Sequence, residues 1–84
     1  MITQARVEVT DQPTLLASAI GALEVTLRAN WSTVKVGSKE VTLDNGFSLP
    51  NKIATKFNLR FGDDLYGICS GSPVIVEVLT ITQG

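Results

Sequence analysis

The side chains that could do chemistry in this chain are few. There is one cysteine, Cys69, and no histidine. Without histidine the chain lacks the commonest general base and the commonest transition-metal ligand. A nucleophilic serine, threonine or cysteine would then need a lysine or carboxylate as its base. Gly71-Ser72 does not have the Gly-x-Ser-x-Gly spacing that exposes a serine on a strained elbow. Cys69 follows Leu65-Tyr66-Gly67-Ile68 in an apolar strand pattern, the setting of a buried structural thiol rather than a reactive thiolate.

The acidic residues read the same way. Asp63 and Asp64 are adjacent, so on a strand they point to opposite faces instead of converging on a metal or a proton. They follow Gly62, where an aspartate caps a turn through the backbone. Asp44-Asn45-Gly46 begins like a calcium loop but lacks the later acidic ligands, and turn chemistry accounts for it. Gly67 and Gly71 lack the Gly-Lys-Ser/Thr that completes a phosphate loop. The expectation is a non-enzyme with no catalytic residues, metal or cofactor.

Charge argues against nucleic acid. The chain carries 7 Lys+Arg and 8 Asp+Glu, a formal net charge of −1, with no basic excess to neutralise a run of phosphates. Lys56 and Arg60 share a face around Asn58, which reads as a solvated surface, while Phe57 and Phe61 alternate onto the opposite, core face. No membrane partner is expected either: the apolar run Leu15 to Leu23 is broken by Ser18 and Gly21 and is too short to span a bilayer. The N-terminus has no basic region and apolar core of a secretory signal. Asn30-Trp31-Ser32 matches a glycosylation acceptor, but without a signal the match is read as chance.

The elements that would position these residues are strands. Period-two alternation recurs at Val7/Val9, Leu23 to Ala29, Val34/Val36, Val41/Leu43 and Phe57/Leu59/Phe61. Leu65–Cys69 is apolar on both faces, and β-branched Val74–Ile81 reads as a central strand buried on both sides. Asn45-Gly46, Pro50-Asn51, Gly62-Asp63 and Ser70-Gly71-Ser72-Pro73 mark turns. The spacing predicts an all-β single domain over residues 1–84. Its form is a small antiparallel β-sandwich or jelly-roll-like barrel of seven to eight short strands. Leu15, Leu16, Ala19, Ile20 and Leu23 keep helical spacing, so one short helix near residues 14–20 is the alternative for that segment.

Composition points to self-association. Hydrophobic residues are 44% of 84 residues, and a domain this small buries roughly 60% of its unfolded surface, near the lower limit for independent stability. One cysteine allows no internal disulfide, which leaves oligomerisation as the usual compensation. Residues 1–10 form an alternating strand that reads as an N-terminal arm or edge strand able to add to a neighbouring sheet. The expected partner contacts are Ile2, Val7 and Val9 on that strand, together with Phe47 and with Trp31 in its polar turn, which reads equally as a lid on the domain's own core.

The order of motifs from residue 22 onward resembles small β-rich modules of tailed-bacteriophage virions, the head-decoration (cement) proteins and head-fibre β-domains. The residues carrying the resemblance are Ala22 to Arg28, then Thr33-Val34-Lys35-Val36-Gly37, then Val41 through Asn45-Gly46 to Leu49. Asp64-Leu65-Tyr66-Gly67-Ile68-Cys69 and Ser70-Gly71 with Val74 to Leu79 complete the set. Residues 1–21 follow no fixed pattern, and the longer anchoring region of head fibres is absent, which favours a compact decoration protein. The resemblance implies a sandwich-like fold and a homo-oligomer, often a trimer. It also implies the major capsid protein as partner and a place on the capsid exterior after synthesis in the host cytoplasm. Two other readings make different demands. A carbohydrate-binding module would need a platform of Trp31 and Tyr66, and a single-strand nucleic-acid binder would need a basic groove.

Overall fold

The computed structural model describes residues 1–30 and 32–82. Among the described residues eight strands run in the order β1 (Ile2–Val9), β2 (Thr14–Ser18), β3 (Leu23–Ala29), β4 (Val34–Gly37), β5 (Phe47–Leu49), β6 (Thr55–Leu59), β7 (Asp64–Ile68) and β8 (Val74–Thr82). They form two four-stranded antiparallel sheets, ordered β1-β8-β3-β6 and β2-β7-β4-β5. The chain changes sheet at every connection except the β4–β5 hairpin. This is the strand order of an eight-stranded jelly roll.

Alternation explains the core. Leu23, Val25, Leu27 and Ala29 on β3 turn inward, and Val74, Val76 and Val78 on β8 do the same beside them. From the second sheet Leu16, Val34, Val36, Leu49 and Leu65 meet them, while Val7, Phe57 and Leu59 pack at the margins. Each fully buried aliphatic side chain contributes roughly 1.5–3 kcal/mol. No described residue that is polar or charged is buried.

Four expectations need correction. Residues 14–20 form no helix. Thr14–Ser18 is a strand against β7 whose register shifts between Leu15 and Ala17. That bulge turns Leu16 and Ala17 inward in succession, and two adjacent buried residues imitate helical spacing. Val41–Leu43 is a loop, not a strand: Thr42 N–H is capped by Asn45 Oδ1 at 2.7 Å, and Gly46 N–H donates to Thr42 O at 3.0 Å. The strand lies further on, at Phe47–Leu49. β8 is central, between β1 and β3, but only its inner face is buried; Ile75 and Glu77 are half-buried and Leu79 is exposed. Phe61, placed in the core by alternation, lies beyond the end of β6 and is 80% exposed.

Candidate interaction surface

Two of the sandwich's connections are tied together at one end of the molecule. Ala19 N–H donates to Asp63 O and Gly62 N–H donates to Ala19 O, each at 2.9 Å, so the β2–β3 and β6–β7 turns lie side by side. The second of these turns is closed by Asp63 N–H to Arg60 O at 2.9 Å, with Gly62 at φ 89° in its third position. That is type II geometry, and it places Phe61 at the outward second position. Asp63 Oδ2 also accepts from Arg60 N–H at 2.9 Å, as the turn reading requires. Asp64 turns away to accept from Ser18 Oγ.

Ile20 in the neighbouring turn is 86% exposed. The strand ends converge on the same place: Leu23 is in register with both Leu59 and Thr82, and Thr82 N–H donates to Met1 O at 2.9 Å. Met1 and Ile2 are therefore at this end too, and both are exposed. Met1, Ile2, Ile20 and Phe61 give one end of the jelly roll an apolar tip.

The edge of the first sheet is the second feature. Thr82 N–H bonding to Met1 O makes Met1–Thr82 a hydrogen-bonded pair of the antiparallel ladder. With the register Ile2↔Ile81 through Val9↔Val74, the odd residues of β1 point their N–H and C=O at β8. Ile2, Gln4, Arg6 and Glu8 therefore turn theirs outward, where none of the described strands receives them. The inner face of β1 is also incompletely covered, with Thr3 and Ala5 exposed, Val7 half-buried and only Val9 fully enclosed.

The outer face of this sheet holds a shallow groove of about 460 Å³, with Gln4, Arg6, Thr26, Arg28, Glu77 and Leu79 among its lining residues. Glu77 lies between two cations across adjacent strands, accepting from Arg28 Nε at 2.8 Å, with Arg6 Nη2 at 3.9 Å. The glutamate neutralises one of the two charges, so the groove floor is an ion ladder that keeps one positive charge. Lys56 is likewise 3.7 Å from Glu24, which breaks up the basic face that a nucleic-acid reading would use.

The expected contact residues separate. Ile2 is exposed at the tip, and Phe47 is 63% exposed at the start of β5, on the opposite side of the sandwich. Phe47 meets Phe57 edge to face at a centroid separation of 6.2 Å, bridging the margins of the two sheets. Val9 is a correction: it is fully buried in the core and cannot touch a partner. Val7 packs against the core at the β1 margin. Trp31 lies outside the described residues. Reasoning from sequence missed Ile20 and Phe61; the Gly62-Asp63 turn signal, counted back two residues, would have found Phe61.

Cys69 is fully buried and its thiol donates to Val9 O at 3.2 Å. Burial first, and Asp11 to a smaller extent, push its pKa above the ordinary 9.0, against a lowering hydrogen bond from the Val74 backbone. It is a neutral, inaccessible thiol.

No family model and no curated protein matches this chain. A solved chain described as "Bacillus endospore appendages form a novel family of disulfide-linked pili" is similar in fold, with a TM-score of 0.53 and 12% identity. The alignment covers 99% of this chain and 89% of that one. At that identity the likeness shows the fold alone. Covalent linkage through Cys69 is not available here, because the only sulfur of the chain's one cysteine is enclosed.

Proposed function

We propose that this chain is a non-catalytic structural subunit that associates with copies of itself and binds the outer surface of a tailed-phage capsid. The observation that carries the reading is the apolar tip, where Met1, Ile2, Ile20 and Phe61 stand in water in the single subunit. Large apolar side chains gathered at one exposed place are the mark of a surface that docks. The order of virion-like motifs from Ala22 to Leu79 supports the capsid as the thing docked upon. The jelly roll is shared by viral shell proteins and lectins and does not choose between them.

Physically, such a protein binds the assembled lattice better than its free subunits, so mass action favours the shell. Several weak contacts per oligomer add through effective concentration. In particles produced from the genome that encodes the chain, it should co-sediment with capsids and remain bound on dilution. Recovery only in the particle-free fraction would overturn the capsid reading. A second reading, a subunit of a non-covalent filament, is favoured by the likeness in fold to a pilus chain. Filaments grown from purified chain and seen by electron microscopy would decide for it.

A further inference from the structure

We infer that the outward edge of β1 is a self-association site, taking β1 of a second copy antiparallel across a two-fold axis centred on Val7. The inference rests on the reading above that the chain assembles with itself.

Four edges are available, one from each outer strand: β1, β6, β2 and β5. β5 has three residues and is followed by Pro50. β2 has five and carries the bulge at Leu15–Ala17. β6 has five with Lys56 among them, a charge that discourages edge pairing. β1 has eight residues with no proline, glycine, lysine or bulge. It is the edge least guarded against strand addition, and only another β1 matches its length.

Hydrogen-bond phase and charge then select the register. The outward N–H and C=O groups belong to even-numbered residues, so even must face even across the new ladder. Centring on Arg6 would set the two Arg6 side chains directly opposite, a like-charge clash. Centring on Ala5 sets Gln4 against Arg6 and Ile2 against Glu8, so neither charge gains an opposite charge across the new ladder. Centring on Val7 sets Arg6 against Glu8 twice, once on each side of the axis. It closes about four backbone hydrogen bonds between those residues and brings the two Val7 side chains together. Val7 is only half-buried in the single subunit, and Ala5 and Thr3 beside it are exposed, so the partner covers surface that the second sheet leaves open. The product is a continuous eight-stranded sheet across the pair. An isologous contact yields dimers and higher even assemblies; a trimer requires a different, head-to-tail surface.

The experiment places single cysteines at Ala5, Arg6 and Val7 in otherwise unchanged chain and follows disulfide cross-linking alongside sedimentation. Directly opposed Cα atoms lie within disulfide range, at about 4.5 Å for the non-hydrogen-bonded pairs of Ala5 or Val7 and about 5.5 Å for the hydrogen-bonded pair of Arg6, so each position reports one register. Val7→Cys should form covalent dimer at least about tenfold faster than Ala5→Cys or Arg6→Cys. In cysteine-independent support, Arg6→Glu should weaken association on the order of tenfold, and Arg6→Glu with Glu8→Arg should restore it. Preferential cross-linking at position 5 or 6 overturns the register. Assembly without any of these cross-links, or a trimer in sedimentation, overturns the β1 interface while leaving self-association standing. A chain that stays monomeric at every concentration overturns both.

Discussion

The thiol of Cys69, at the end of β7's sheet, is held 3.2 Å from the carbonyl of Val9 at the end of β1 in the other sheet. Cys69 N–H reinforces the tie by donating to Thr10 O at 2.9 Å. The two sheets are thus joined by backbone and side chain at the end opposite the apolar tip.

Burial of this thiol makes stability fall in alkali. The folded thiol holds its proton above the ordinary pKa of 9.0, whereas the unfolded thiol releases it there. Above that pH the unfolded state binds fewer protons, so unfolding becomes more favourable as pH rises. Denaturant midpoints measured from pH 7 to 10.5 should decline above about pH 9 in wild type. The decline should be shallower in Cys69→Ala, compared with that variant's own midpoint at pH 7. In the native protein Cys69 should also resist alkylation that proceeds readily in denaturant.

Gly46 is required by close approach. A Cβ there would lie 2.5 Å from Lys35 Cβ, which is fixed to its backbone, 2.9 Å from the Val41 Cγ2 methyl and 3.1 Å from the backbone Thr42 O. Gly46→Ala should cost about 1–3 kcal/mol in chemical denaturation. Gly21→Ala is the control: nothing lies within 4 Å of its Cβ and its φ is not positive, so it should be neutral or slightly stabilising.

Leu27 and Leu79 separate the two faces of the first sheet. Leu27 is fully enclosed, so Leu27→Ala should destabilise by about 2–5 kcal/mol, enough to unfold much of a domain this small. Leu79 is 38% exposed on the outer face, and Leu79→Ala should cost well under half as much. Thermal melts of the two variants test the assignment of inside and outside.

Removing the tip should leave the fold intact. Ile20→Ser with Phe61→Ser replaces two highly exposed apolar side chains, so the unfolding free energy of the single subunit should change little, within about 0.5 kcal/mol per site. Binding to capsids should drop sharply. Unchanged capsid occupancy in a well-folded double variant would show that the tip is not the docking surface.

Much of the fold was legible because half-buried strands advertise themselves. Leu23 to Ala29 alternates without a break, and the structure buries the leucines and valines that alternation put on one face. Phase was the weak point. One bulge at Leu15–Ala17 turned a strand into an apparent helical stripe. Val41 is buried beneath its own loop, and so passed for a strand residue. The docking surface was harder to read, because an exposed phenylalanine and a core phenylalanine have the same chemistry. Val7 and Val9 share a face by alternation, yet only Val9 is roofed by the second sheet. Which residues that roof covers depends on how far β2 extends, and no local pattern encodes it.

The strand that completes the first sheet is β8, and it sits in the middle of that sheet, between β1 and β3. During synthesis, β1 and β3 would emerge with no neighbour between them and would wait for the 44 residues from 30 to 73 before β8 arrives. Pairing so distant in sequence is slow, and until it happens both strands expose edges and apolar faces. The period of greatest hazard for this protein is therefore the interval before β8 is delivered, when sticky surface meant for the core is open to other nascent copies.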